Sequence, residues 1–154
     1  MRSWLSLVAV VLALSARAEA TDLRSVITDV TITSWNEKDG LPPALISALA
    51  QDTAGYLWVG TRQGLLRFDG VRFSPWNTLS ETPLPDVWIR SLLAARDGAL
   101  WVGFGTDGTI ARIQDGVVTS FSGTDGLGRG GVLGLAEDAA GTVWAGGENG
   151  LHAF

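Results

Sequence analysis

Cysteine is absent from the 154-residue chain, so no disulfide, thiol nucleophile or thiolate metal site can be built from it. Histidine occurs once, at His152, which removes most imidazole acid–base schemes and any multi-histidine metal centre. Lysine also occurs once, at Lys38; the rest of the 11 basic residues are arginine, against 16 acidic residues and a net charge of −5. An acidic chain without a basic cluster argues against nucleic acid as a partner, because phosphate neutralisation supplies most of that affinity. Charged residues make up only 18% of the chain, below the usual ~25%. What is abundant is apolar residues, glycine and tryptophan. Hydrophobic residues at 46% exclude disorder of the whole chain, while 20 Gly and seven Trp ask for many turns and several places to bury large rings.

The single long apolar run, Leu5–Leu14, follows Arg2 and precedes Ala16-Arg17-Ala18 and Ala18-Glu19-Ala20. A basic start, an apolar stretch and small-x-small positions together have the form of a secretory signal peptide over residues 1–20. The alternative is a membrane anchor, but ten residues at ~1.5 Å each cover about half of a ~30 Å hydrocarbon core. The expectation is export, with residues 21–154 as the mature part.

The mature part is repetitive. Trp58, Trp101 and Trp144 stand 43 residues apart. Each has a glycine two residues later (Gly60, Gly103, Gly146) and another three residues earlier (Gly55, Gly98, Gly141). Leu49, Leu92 and Leu135 recur in phase, as do Leu41, Leu84 and Leu127, and Ile46, Ile89 and Val132. Ungapped blocks separated by segments of varying length are the mark of repeated structural units carrying surface insertions.

Each unit reads as strands. In the first, runs at 46–51, 56–61, 65–68 and 71–76 are separated by Asp52–Gly55, Arg62–Gly64 and the two-residue hairpin signal Asp69-Gly70. The second gives 89–94, 99–103, 109–113 and 117–121, and the third 132–137, 142–146 and 151–154. No helical apolar spacing persists in the mature chain. Alternation is weak, which fits sheets covered on both faces. Four antiparallel strands per 40–45 residues is the blade of a β-propeller, with the repeated Trp filling the gap between blades. Parallel solenoids have shorter periods and lack the Asp-Gly signal. The fold expected is all-β: a partial β-propeller of about three four-stranded antiparallel blades at 41–76, 84–121 and 127–154, the third incomplete. Residues 25–35 read as an outer strand that closes the ring, because 35–41 runs parallel to 121–127.

The string Asp39-Gly40-Leu41-Pro42, Ile46, Leu49, Gln51-Asp52, Gly55, Leu57-Trp58-Val59-Gly60-Thr61, Gly64-Leu65, Arg67-Phe68-Asp69-Gly70 resembles the two-component regulator propeller repeat. The resemblance covers about 33–154. The second unit departs from it with Ala95 for the turn Asp and with an inserted Gly105-Thr106-Asp107-Gly108; the third has Ala145, Gly147 and Gly128 where Val59, Thr61 and Pro42 stand. The resemblance implies a periplasmic sensor region of a bacterial membrane-bound signalling protein. Such proteins carry one or two propellers, a further β-domain, one span and a cytoplasmic histidine kinase or, in some, a diguanylate cyclase. Some members sense carbohydrate fragments, and a homodimeric full-length protein is implied. No kinase histidine, ATP-binding motif or later span is visible in this sequence.

Candidate site residues are those that break the repeat. Trp88 stands where the other units have Leu45 and Gly131, and Arg90 where they have Ser47 and Leu133. Both fall where the innermost strand begins, on the rim of a central channel, and an aromatic face beside Arg suits a sugar or an acidic saccharide. The bland reading is packing of Trp88 on Pro85 or a neighbouring blade. Arg129, in the third unit's equivalent loop, is a weaker candidate; Arg62 and Trp35 read closer to surface and packing roles. Trp58, Trp101, Trp144, Gly60, Gly103 and Gly146 read as structural. Gly123–Gly131 reads as a connecting loop and His152 as a surface or edge residue. No Asp-x-Asp-x-Asp-Gly or G-x-G-x-x-G spacing occurs, so no metal, cofactor or catalytic set is expected.

Three functions are compatible with these features: a sensory ligand-binding propeller, a protein-interaction scaffold without a small ligand, or a propeller lyase whose catalytic groups come from elsewhere. Four repeats of 43 residues would already be longer than residues 21–154. The chain therefore reads as the N-terminal fragment of a larger ring, seven-bladed by expectation, whose membrane attachment would come from a downstream segment.

Overall fold

The computed structural model describes residues 31–148 and 150–154. The signal peptide read at 1–20 and most of the closing strand read at 25–35 lie outside those residues; residues 31–35 take part in no strand. The compact unit runs from Trp35 to Phe154.

Among the described residues, eleven strands form three sheets, each wound in sequence order. The first blade holds β1 (Ile46–Gln51), β2 (Leu57–Thr61), β3 (Gly64–Phe68) and β4 (Phe73–Pro75). The second holds β5 (Ile89–Ala94), β6 (Leu100–Phe104), β7 (Ile110–Gln114) and β8 (Val117–Phe121). The third holds β9 (Val132–Glu137), β10 (Val143–Gly147) and β11 (Gly150–Ala153). Within these sheets the strands pair antiparallel. β5 packs against both β1 and β9, so these three first strands form the inner edge of the arc.

The turns show why the blocks repeat. Asp52 Oδ1 accepts hydrogen bonds from the backbone N–H groups of Ala54 and Tyr56, both at 3.0 Å, while its Oδ2 accepts from Trp58 Nε1 at 2.8 Å. Asp138 repeats this with Ala140, Thr142 and Trp144 Nε1, the last at 2.9 Å. One carboxylate thus closes the β1–β2 or β9–β10 turn and holds the indole. In the second blade Ala95 has no carboxylate, and Trp101 Nε1 is the one buried side-chain donor or acceptor left without a partner among the described residues. Asp97 closes that turn instead, accepting from Ala99 N–H at 3.0 Å and pairing with Arg112 at 2.7 Å.

The Asp-Gly dipeptides that precede the fourth strands of the first two blades form different turns. Asp115 and Gly116 both take positive φ (52° and 78°) between the paired residues Gln114 and Val117, which is a two-residue type I′ hairpin. Asp69-Gly70 does not form the expected two-residue turn. Phe68 pairs with Phe73 across a four-residue loop, because Asp69 Oδ1 captures the N–H groups of Val71 and Arg72 at 2.8 and 2.7 Å. The fourth strand of that blade is consequently shorter than expected. Trp76 leaves it to open the one-turn helix α1 (Trp76–Leu79), contrary to the expectation of no helix. Its indole packs on Trp58 at 6.3 Å and donates to the Thr82 carbonyl at 2.7 Å.

Between blades, large rings meet small knobs. Trp58 is buried against Ile89, Leu100 and Ile113 of the second blade, and Trp101 against Val132, Val143 and Ala145 of the third. Each such ring contributes up to about 5 kcal/mol, from roughly 200 Å² at ~25 cal/mol/Å². Trp144, the same residue on the outer face of the third blade, is 37% exposed, compared with 8% and 5% for the other two. The glycines two residues after each Trp are not turn residues. A methyl group on Gly60 would lie 2.5 Å from Ile89 Cγ2, and one on Gly103 would lie 2.7 Å from Val132 Cγ1. They are holes into which the next blade inserts a β-branched side chain. Hydroxyls stitch the seam: Ser47 donates to the Ile89 carbonyl at 2.5 Å and Ser91 to the Val132 carbonyl at 2.9 Å.

Candidate functional site

Antiparallel winding puts the start of each inner strand, the end of its neighbour and the turn beyond it on one face of the arc. On that face converge the approach to β5 (Asp86-Val87-Trp88), the β2–β3 turn (Arg62-Gln63), the β6–β7 loop (Gly105–Thr109) and the approach to β9 (Gly128–Gly131).

Trp88 is half-buried at the boundary of the first two blades. Its indole lies on Gly105: a methyl group there would come within 2.7 and 2.8 Å of Cε2 and Cε3. The Trp88 carbonyl accepts from Gly105 N–H at 2.8 Å. Arg90, two residues on, places its guanidinium carbon 5.7 Å from the ring centroid, and Arg62 reaches across from the first blade to 4.8 Å. A guanidinium over an indole face at this range contributes ~0.5–1 kcal/mol where exposed. Neither arginine has an ion-pair partner among the described residues.

Asp86 fixes the loop. Its Oδ1 accepts from Val87 N–H at 2.6 Å and Trp88 N–H at 3.3 Å, and its Oδ2 accepts from the Thr106 hydroxyl. Burial works to raise the Asp86 carboxyl, but the Thr106 hydroxyl and the two N–H groups outweigh it, and the group sits below the usual carboxylate range. The charge therefore persists well into acid and ties the approach to β5 to the β6–β7 loop. Next to this loop a cleft of about 390 Å³ opens between the first blade and the segment that leads from it to β5, lined among others by Thr61, Gln63, Leu84, Asp86 and Val87 and not by Trp88, Arg90 or Arg62. That volume falls in the range of small-ligand sites.

Of the sequence candidates, Trp88 and Arg90 come together and Arg129 does not join them. Arg129 is exposed on the boundary of the second and third blades, where it lines a small recess with Gly108, Glu148 and His152. The segment 123–131 is more built than a plain connector. It opens with a 3-10 turn whose Asp125 Oδ2 accepts from Ser122 N–H at 2.8 Å, buries Leu127, and bridges Gly130 to Asp107. Sequence reasoning underweighted Arg62 and missed Gly105 and Asp86. The inserted Gly105–Gly108 stretch was the available signal, since an insertion with glycine at its first position leaves room for a ring.

The fold and face define a class: an all-β chain of stacked antiparallel blades, a partial β-propeller. Residues 40–63, which hold β1, β2 and the turns around them, match the family model described as Two component regulator propeller. No curated protein sequence matches the chain. Among solved structures, the extracellular domain of the proposed hybrid two component system BT3049 from B. thetaiotaomicron superposes with a TM-score of 0.64 at 19% identity, over 78% of this chain and 17% of that one. The extracellular domain of BT4673 from the same organism gives 0.63 at 24% identity, over 80% and 17%. Virginiamycin B lyase from Staphylococcus aureus, in a catalytically inactive form with quinupristin, gives 0.55 at 16% identity, over 74% and 42%. The chain thus spans about a sixth of the length of the two extracellular domains. At these identities the likeness is one of fold.

Proposed function

We propose that this chain is part of an extracytoplasmic sensory β-propeller of a membrane-bound signal-transduction protein of the two-component histidine kinase type. Its ligand, an acidic saccharide, is received on the face that carries Trp88, Arg90 and Arg62. The observation that carries the ligand reading is the half-buried indole flanked by two guanidiniums without carboxylate partners among the described residues, next to a cleft lined by Gln63, Asp86 and Val87, in an acidic chain. An indole face stacks on the C–H face of a pyranose, and a guanidinium fork binds a carboxylate through two parallel hydrogen bonds. Asp86 and Gly105 hold that face in place before any ligand arrives. The match of 40–63 to the two-component regulator propeller family supports the signalling role and a periplasmic location.

The test is thermal unfolding and tryptophan fluorescence of the protein with uronate oligosaccharides and with neutral oligosaccharides of equal length. Acidic chains are expected to raise Tm and perturb the fluorescence, and Trp88→Ala or Arg90→Ala to abolish both effects. Binding untouched by either substitution would move the site elsewhere. No response to any oligosaccharide would favour a scaffold that binds protein. The lyase reading rests on fold likeness alone; His152 of β11, paired with Ala145 of β10, has no carboxylate among its hydrogen-bond partners in the described structure.

A further inference from the structure

The cleft of about 390 Å³ at the first blade is separate from the Trp88 face, since neither Trp88, Arg90 nor Arg62 lines it. Two departures from the repeat open it. The β2–β3 turn holds only Arg62 and Gln63 between the paired residues Thr61 and Gly64. In the second blade the corresponding loop, Gly105–Thr109, leans on the approach to β9: Asp107 bridges Gly130, and Gly108 lies against the Gly128 carbonyl. The shorter turn of the first blade makes no such bridge to the approach to β5 among the described residues. The connection from β4 to β5 is also longer than that from β8 to β9 and carries α1. All the lining residues belong to the first blade and to the segments that enter and leave it, so no further blade is needed to form the cleft.

The connection that walls the cleft is fixed before any ligand arrives. Trp76 Nε1 donates to the Thr82 carbonyl at 2.7 Å, Thr82 N–H to the Ser80 hydroxyl at 3.1 Å, and the Thr78 hydroxyl to the Pro75 carbonyl at 2.7 Å. Asp86 ties the end of the connection to the Thr106 hydroxyl. Leu65, Pro75, Trp76, Leu84 and Val87 give the cleft most of its apolar lining. The Thr61 hydroxyl is already engaged with the Gly64 carbonyl at 2.9 Å. The polar groups left for a ligand are the side chains of Gln63, Asn77 and Glu81, which are exposed and have no hydrogen-bond partner among the described residues. No Lys, Arg or His lines the cleft, and both of its ionisable side chains, Glu81 and Asp86, are carboxylates.

We propose that this cleft binds a small organic cation, a molecule with an apolar body and one protonated amine. The body replaces water against Leu65, Pro75, Leu84 and Val87, in a concavity of the size that small ligands fill. An ammonium carries three donors and no acceptor, which suits a lining whose free polar atoms include the Glu81 carboxylate and the amide oxygens of Gln63 and Asn77. Glu81 accepts from the amine directly. Asp86 already accepts three hydrogen bonds and contributes chiefly its charge. The neighbouring face has the opposite sign, from Arg62 and Arg90, so acidic and cationic ligands are sorted between the two. This proposal is independent of what the Trp88 face binds.

The test compares three ligands that share one ring system: tryptamine, tryptophol and indole-3-acetate, which are cationic, neutral and anionic at neutral pH. Their dissociation constants for the full chain are read by saturation-transfer NMR titration at low salt. Tryptamine is expected to bind about fivefold more tightly than tryptophol, with indole-3-acetate the weakest, and to lose most of that advantage in ~1 M salt. Glu81→Gln changes an exposed side chain; it is expected to keep Tm and to bring tryptamine within about twofold of tryptophol. Gln63→Trp fills the cleft from an exposed turn position, and Val87→Trp fills it from the exposed connection. Each is expected to abolish tryptamine binding at an unchanged Tm, whereas Arg90→Ala is expected to leave it unaltered. Tryptophol or indole-3-acetate binding as tightly as tryptamine at low salt overturns the proposal. So does tryptamine binding that survives both filling variants, or the absence of tryptamine binding at millimolar concentration.

Discussion

Ala95 offers the sharpest energetic experiment. It stands where Asp52 and Asp138 accept from the indoles of their blades, and its absence of a carboxylate leaves Trp101 Nε1 buried and unpartnered. An unsatisfied buried donor costs ~1–3 kcal/mol, and a restored hydrogen bond to a charged acceptor contributes ~1.5–3 kcal/mol. Ala95→Asp also desolvates a carboxylate at a 4% exposed position and competes with Asp97 for the turn. The Arg112 guanidinium, 6.0 Å from the Trp101 ring, offsets part of that cost. The net expectation is a gain of about 1 kcal/mol, or ~3–6 °C in Tm for a domain of this size. Urea unfolding of wild type and Ala95→Asp reads it directly. The paired control is truncation of the indole. Trp58→Phe breaks a bond and strands Asp52, while Trp101→Phe breaks none. After their similar packing losses, Trp58→Phe is expected to cost ~1–2 kcal/mol more. Equal costs for the two truncations, together with no gain from Ala95→Asp, would refute the reasoning.

Gly60→Ala would put a methyl 2.5 Å from Ile89 Cγ2, with an expected loss of ~1–3 kcal/mol; Gly146→Ala in this chain, where the methyl would meet nothing nearer than Leu151 Cδ1 at 4.0 Å, is expected to be near neutral in urea unfolding. Gly105→Ala is expected to expel the Trp88 indole from its seat and to red-shift its fluorescence without lowering Tm by more than a few degrees. Acid should loosen the turns. The carboxyl groups of Asp138, Asp97 and Asp69 are held below the usual range, by the Trp144 indole N–H, by Ala99 N–H with Arg112, and by the N–H groups of Arg72 and Val71 respectively. A group whose folded pKa is depressed stabilises above its unfolded pKa, near ~3.9, and that contribution is lost as pH falls through the lower folded value. Stability is thus expected to be flat from neutral pH to about 5 and to fall below about 4, measured as Tm against pH.

The 43-residue spacing of Trp58, Trp101 and Trp144 carried the blade order, the inner strands and the burial of the first two rings, because one period encodes one supersecondary unit. The loop ends were harder to read. Asp69-Gly70 and Asp115-Gly116 are the same dipeptide with different turns, decided by whether the carboxylate captures nearby N–H groups. Trp88 and Arg90 were legible as breaks in the repeat, since the fold does not ask for them. Arg62 was not, because its role depends on the next blade lying across it, which no local pattern specifies. The orphaned Trp101 indole was half legible: the Ala95 substitution is plain in the sequence, but its consequence needed the Asp52 and Asp138 geometry beside it.

The candidate site exists only if the first blade packs on the second as described, bringing Arg62 to Trp88. The cysteine-free sequence permits a direct measurement of that seam. The Cβ of a residue placed at Gly60 would lie 3.3 Å from that of Ile89, close to the ~3.5–4.5 Å of a disulfide. In the double variant Gly60→Cys, Ile89→Cys, oxidation is expected to give a disulfide within one chain, seen as loss of two free thiols, faster migration without reductant and no change in mass. Two free thiols persisting under oxidant, or cross-links only between chains, would contradict the blade packing and, with it, the site.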